Sequence, residues 1–213
     1  MAVVILIWVG IYESKYNTDG TQIISQPFTE TDSTNFGASF YSYTKSRVED
    51  VLKFYPNCLI LRLRMLVSDD LHARNFVTKI TRYPRVVDVP NSNSILHDLL
   101  PCVVALAEHK EVGVLNFTNP GAISHNEVLS LYKDIIDPSY SWENFTLEEQ
   151  SKVIKAGRSN CELDASKLMG LVKRYQGEGY ELEVPEIHQA YRQCFERMRE
   201  GMQMREGAQV GRA

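Results

Sequence analysis

The sequence is poor in several signals that would have assigned it quickly. Its four cysteines, Cys58, Cys102, Cys161 and Cys194, lie far apart and form no C-x-x-C pair, so neither a disulfide framework nor a zinc site is indicated. There is no block of Lys and Arg. With 23 basic and 27 acidic residues the formal charge is −4, which excludes the electrostatic footprint of a nucleic-acid binder. No apolar run is long enough to span a bilayer, and no G-x-x-G-x-x-G phosphate-binding turn occurs. Repeats, low-complexity tracts and Pro-rich linkers are missing as well. The apolar start, MAVVILIWVGIY, has no positive flank and no small-residue cleavage site, so it does not read as a signal peptide. Isolated cysteines without a secretory signal point to a cytoplasmic protein. The two sequon matches, at Asn116 and Asn144, would matter only in a secreted chain.

What remains is a globular chain of 213 residues, enough for about one domain. The β-branched run over 3–9 reads as a strand buried on both faces, as in a parallel sheet. A long polar loop over 12–37 follows, and then a helix over 39–55. In that helix Phe40, Thr44, Val48, Val51, Leu52 and Tyr55 recur at helical spacing and predict the inward stripe. Ser42, Ser46, Glu49, Asp50 and Lys53 fall outside it.

Tyr41 and Lys45 stand four residues apart and share a face at the border of the stripe. A Lys charge beside a phenol lowers its pKa toward the range useful for proton transfer at a carbonyl. Tyr43, two residues from Lys45, points elsewhere.

A second buried strand is predicted over 58–67, where Arg62 and Arg64 need partners or a ligand. Helices follow near 75–83, 94–109, 127–136, 147–155, 165–175 and 186–203, with short strands at 85–89 and 113–118 and a frayed tail over 204–213. The helix at 94–109 is read with Leu99, Leu100, Val103, Val104 and Leu106 inward. Ser124 and Glu127 have the spacing of a capping box, and His125 between them reads as a surface residue at a helix start. Strand, helix, strand in this order predicts an α/β fold, a partial doubly wound, Rossmann-like parallel sheet with a small, mostly helical C-terminal lobe. The boundaries are drawn at 1–118 for the sheet domain, with interleaved lobe segments, and 119–203 for the lobe helices.

The stretches FYSYTKSRVEDVL, LRLRM, RNFVTKITRY, VPNSNSILHDLLP, NFTNPGAISHNEVL, DPSYSWENFTLEEQSKVI and RSNCELDASKL together resemble the extended short-chain dehydrogenase/reductase family. Within it the resemblance is to the nucleotide-rhamnose synthase epimerase/reductases and the bacterial dTDP-4-dehydrorhamnose reductases. It runs from about Gly10 to about Met169.

The resemblance implies NADPH, or NADH, as cofactor and a nucleotide-4-keto-6-deoxyglucose as substrate. It implies Tyr41 as proton donor to the C4 ketone, Lys45 at Tyr41 and the nicotinamide ribose, and Arg64 at the cofactor. Lys79 falls on the Lys of the epimerase acid/base pair. Asn75, Arg158 and Asn160 fall at the nucleotide sugar, and Asp164 and Lys167 lie in the same lobe-anchoring segment. No nucleic acid and no membrane is implied, and a homodimer is compatible.

Two departures stand out. Relatives carry A-T-G-C where this chain reads Trp8-Val9-Gly10-Ile11, so Val9 replaces the Thr that would bond the ketone and the epimerase Cys is missing. The Gly-rich βαβ unit of relatives has no counterpart, about four strands in all. The expectation is therefore weak NADPH affinity and doubtful activity for this chain alone. A non-catalytic regulatory or binding subunit is the alternative reading.

Overall fold

A computed structural model describes residues 3–8, 11–14, 26–70, 72–155 and 157–210. Val9 and Gly10 lie outside them, as does much of the loop predicted over 12–37. The chain runs β1 (Val3–Trp8), α1 (Phe40–Leu52), β2 (Cys58–Leu63), β3 (Leu66–Val67), α2 (Phe76–Ile80), β4 (Arg85–Val86) and β5 (Ser94–Ile95). It continues with α3 (Leu96–Glu108), β6 (Gly113–Asn116), α4 (His125–Ile135), β7 (Glu143–Asn144), α5 (Leu147–Val153), α6 (Ser166–Gly177) and α7 (Ile187–Val210).

The expected parallel sheet is present, in the order β1-β2-β6. Val3 pairs with Cys58 through to Trp8 with Leu63, and Leu59 pairs with Gly113 through to Arg62 with Asn116, all parallel. Among the described residues β1 is paired on one side only. The two faces of β2 differ. Leu59, Leu61 and Leu63 pack with Leu99 and Leu106 of α3, Leu115 and Phe117, and Leu168 and Val172 of α6. Ile60 packs on the opposite face with Ile11, Tyr12, Cys161 and Leu163, and Arg62 reaches Glu49 of α1 on that side.

A second core joins Val77 and Ile80 of α2, Val128 and Leu129 of α4, and Ile187, Tyr191 and Phe195 of α7. This is the helical lobe. Residue 118 does not separate the two cores cleanly, because α6 packs on the sheet while α2 belongs to the lobe.

Three local expectations are corrected. First, α1 is turned around. Ser42, Ser46 and Glu49 are buried, whereas Phe40 is 84% exposed and Val51 58%. The cause is Arg62: a guanidinium in a buried strand needs an opposing carboxylate, and Glu49 supplies it. The serines are small enough to let the helix approach the sheet. Their hydroxyls are engaged locally, Ser46 Oγ donating to the Tyr43 carbonyl and Ser39 Oγ to Ser42 Oγ. Second, the strand over 58–67 is two strands. Met65 takes a positive φ of 38°, and the chain leaves β2 to pair β3 with β5 in another sheet. Third, Leu100 and Val104 of α3 face solvent, and Cys102 and Ala105 take the inward positions.

The capping box forms as read. Glu127 N donates to Ser124 Oγ, and Ser124 N donates to Glu127 Oε2. No helix among the described residues is long and apolar enough to cross a membrane.

Candidate active site

α1 runs back against the strands, so its first turn lies toward their carboxyl ends, where ligands of doubly wound folds bind. Tyr41 stands in that turn and is half exposed. Lys45 places its ammonium over the Tyr41 ring, 5.4 Å from the centroid. The contact is cation–π in type rather than ammonium to phenol oxygen. The expected fall in the Tyr41 pKa does not occur: burial pushes the phenol above its ordinary value of 10. At neutral pH the hydroxyl therefore keeps its proton and is a donor.

Arg62 and Arg64 resolve differently. Arg62 is fully buried and bound by Glu49, its Nη1 also reaching the Thr29 carbonyl at 3.4 Å. Arg64 at the end of β2 is 3% exposed. Its Nη1 donates to Ser159 Oγ at 2.9 Å, and its Nη2 donates to the Ser159 carbonyl at 2.9 Å and to Asn91 Oδ1. The Arg64 guanidinium, expected at the cofactor, faces residues 91 and 159.

Asn75 is likewise occupied. Its Nδ2 donates to the Ser68 and Asp70 carbonyls, both at 2.7 Å, and its Oδ1 accepts from Val77 N as the N-cap of α2. Both amide hydrogens serve the protein. Asn160 is also internal. Its Oδ1 accepts from Asn91 Nδ2, and its backbone N–H donates to Glu13 Oε2 at 2.8 Å. Lys167 donates from Nζ to the Val114 carbonyl, anchoring α6 to β6.

Lys79 and Arg158 have more freedom. Lys79 is half-buried in the last turn of α2, and among the described residues no salt bridge engages its ammonium. Arg158 is exposed.

Two residues were missed. His125, read as a surface residue, packs edge-on against Phe76 of α2 at 5.5 Å. Burial lowers its pKa to about 4, Asp88 opposing and the Arg158 charge adding to the fall. It is a neutral imidazole at pH 7. Glu13 is the other. Burial raises its pKa to about 7, against the pull of the Asn160 N–H and Arg64. The structure thus gathers Arg64, Glu13, Asn91 and Asn160 at one place, while the charges of Asp88 and Arg158 act on His125. Asp88 also lines an open cleft of about 240 Å³ with Asn144, Phe145 and Glu149. The polar run Asn91-Ser92-Asn93-Ser94, all buried, was the available signal for the first cluster.

Comparison with known proteins finds homologues. The chain is 58% identical over 142 residues to the bifunctional dTDP-4-dehydrorhamnose 3,5-epimerase/dTDP-4-dehydrorhamnose reductase of Arabidopsis thaliana, across 66% of this chain and 47% of that protein. The chain is a homologue of the rhamnose-forming epimerase/reductases. The crystal structure of the L780 UDP-rhamnose synthase from Acanthamoeba polyphaga mimivirus superposes with a TM-score of 0.81 at 35% identity, over 92% of this chain and 65% of that one. A dTDP-4-dehydrorhamnose reductase from Bacillus anthracis in complex with NADP, at 16% identity and a TM-score of 0.66, shares the fold. It is covered over 65% of its length by 91% of this chain. No family model matches. The chain spans about half the length of the Arabidopsis epimerase/reductase and under two thirds of the L780 rhamnose synthase.

Proposed function

We propose that this chain takes part in the cytoplasmic conversion of a nucleotide-4-keto-6-deoxyglucose to a nucleotide-L-rhamnose, by 3,5-epimerisation and NADPH-dependent 4-reduction. The observation that carries the reading is the placement of Tyr41 in the first turn of α1 and of Lys45 in the second, on a helix that connects two parallel strands. The homology to rhamnose-forming enzymes supports it.

The chain's own residues divide the work. Tyr41, kept protonated by burial, donates its proton to the ketone oxygen as C4 is reduced. Lys45 holds the ring from its face and offers its ammonium to the nicotinamide ribose. NADPH supplies the hydride when bound. Tyr41 and Lys45 fit such a cofactor, since they flank the strand ends, whereas Arg64 does not, its guanidinium being turned to Ser159 and Asn91. Lys79 is one of two proton carriers for the carbons beside the ketone, where an enolate spreads the charge; the Cys of the A-T-G-C of relatives would be the other, one removing the proton and the other returning it on the opposite face. Arg158 meets the diphosphate by charge. A homodimer is part of the reading and is tested by sedimentation equilibrium.

The experiment joins the A-T-G-C and the Gly-rich βαβ unit of relatives to this chain and mixes the product with NADPH and the UDP- or dTDP-4-keto sugar in heavy water. Oxidation of NADPH and deuterium at the carbons flanking the ketone are followed together. Absence of both overturns the reading. Val9, in place of the Thr of relatives, favours a second one, a non-catalytic binding subunit. Recovery of a stoichiometric enzyme partner with this chain, with no turnover, would establish it.

A further inference from the structure

The segment 158–161 has little regular structure of its own and is held from two sides. On one side Ser14 N donates to the Asn160 carbonyl at 2.8 Å, and Asn160 N donates to Glu13. Ser159 Oγ donates to the Tyr12 carbonyl. On the other side Cys161 N donates to Asn91 Oδ1 at 3.0 Å, Asn91 Nδ2 donates to Asn160 Oδ1 at 3.1 Å, and Ser92 N donates to the Cys161 carbonyl at 3.0 Å. Arg64 touches Ser159 twice and Asn91 once, so it ties the segment itself to the 91–92 side. A planar fork can serve three acceptors at once, which an ammonium at the end of a flexible stem does poorly. Arg158, the next residue back along the chain, is exposed and charged.

We propose that Arg64 is a positioning residue for the nucleotide sugar: it fixes the backbone at Ser159 so that Arg158 is presented to the substrate diphosphate. This rests on the role given to Arg158 above. Arg64 is buried and faces the protein, so it acts through the segment and not by touching the ligand. Releasing Ser159 would return backbone freedom to Arg158, and the entropy of fixing one residue corresponds to roughly tenfold in affinity.

The test is a calorimetric titration of the full chain with UDP, using the unsubstituted protein, Arg64→Lys, Arg158→Ala and the double variant. Arg64→Lys is expected to weaken UDP binding about tenfold. In the Arg158→Ala background the same change is expected to cost about twofold or less, since its effect passes through Arg158. Losses that add in full, or an unchanged affinity for Arg64→Lys, overturn the positioning role. If Arg158→Ala binds UDP as tightly as the unsubstituted chain, or the unsubstituted chain binds none, the Arg158 reading fails instead.

Hydrogen exchange provides the second readout. Arg64→Lys should speed exchange at the Asn160 and Cys161 amides and leave the α6 amides as they were. Unchanged exchange at those two amides overturns the proposal whatever UDP does. Should Arg64→Lys fail to fold, Ser159→Ala removes one acceptor of the fork without leaving a buried charge, and the same two measurements apply with the same expected directions.

Discussion

Glu49 and Arg62 form a two-point ion pair between α1 and β2. Arg62 Nε donates to Glu49 Oε2 at 3.0 Å, and Nη2 donates to Oε1 at 2.6 Å. Neither side chain is more than 1% exposed. Burial alone would raise the Glu49 pKa, but the bonds from Arg62 and from Lys53 outweigh it and hold the carboxyl below its usual range. The pair decides which face of α1 meets the sheet.

Removing one partner should therefore be costly. Glu49→Ala leaves a buried guanidinium without its counter-charge, and the loss should be about 3–5 kcal/mol in urea unfolding. Replacing the pair together, Glu49→Leu with Arg62→Met, should recover most of that loss. A single-variant loss under about 1 kcal/mol would show that water reaches Arg62 and that the pair does not hold the helix.

The outward stripe of α1 should tolerate polar substitution. Phe40→Ser and Val51→Ser, at positions 84% and 58% exposed, should change stability by no more than about 0.5 kcal/mol. Ser46→Leu, on the buried face, should cost about 1–3 kcal/mol by overpacking. Thermal unfolding of the three variants makes the comparison. The reverse order would place the helix as the hydrophobic periodicity reads it.

His125 should make the fold sensitive to acid. Its pKa is depressed to about 4 in the folded chain, against 6.5 when unfolded. Between those values the unfolded state binds more protons, so stability is lost as pH falls from 6.5 toward 4. In His125→Asn this part of the slope should vanish. Denaturant midpoints at several pH values, compared between the two proteins, check it.

Glu13 should act in the opposite sense. Its pKa is raised to about 7, against 4.5 unfolded. The folded state now holds the extra proton, so this group's contribution is full below pH 4.5 and is lost as pH rises toward 7. Arg64 and Cys161 face it and stay in place in Glu13→Gln, which should remove the difference. An identical pH profile for both proteins would mean that Glu13 titrates as an ordinary surface carboxylate.

The two proposed activities should separate by residue. In a form of the chain that carries the A-T-G-C and the Gly-rich βαβ unit of relatives, Tyr41→Phe should lower NADPH-linked reduction by about 10²–10⁴-fold, the scale of a lost general acid, with little effect on folding. Lys79→Ala should stop deuterium uptake beside the ketone and spare reduction of an already epimerised sugar. If Lys79→Ala exchanges those protons at the unsubstituted rate, Lys79 is a solvated helix residue and no more.

Much of this was legible from residues alone, because it rests on local chemistry. The helix around Tyr41 and Lys45, the Ser124–Glu127 capping box and the parallel strands β1 and β2 follow from spacing, side-chain length and β-branched runs. The need of Arg62 for a partner was equally plain. The same local rules put Tyr41 beside Lys45 but could not say that the ammonium would lie over the ring instead of at the hydroxyl.

The tertiary structure decided the rest. Periodicity measures how apolar residues are spaced around a helix and not what waits for them across the interface. At α1 a buried arginine waited, and one carboxylate with two small serines outweighed a stripe of larger apolar groups. Arg64, Asn75 and Asn160 were expected at ligands because the family resemblance implies it. Which partners they found, Ser159, the Ser68 and Asp70 carbonyls, and Asn91, lies 95, 7 and 69 positions away at most, and only the fold brings them within hydrogen-bond reach.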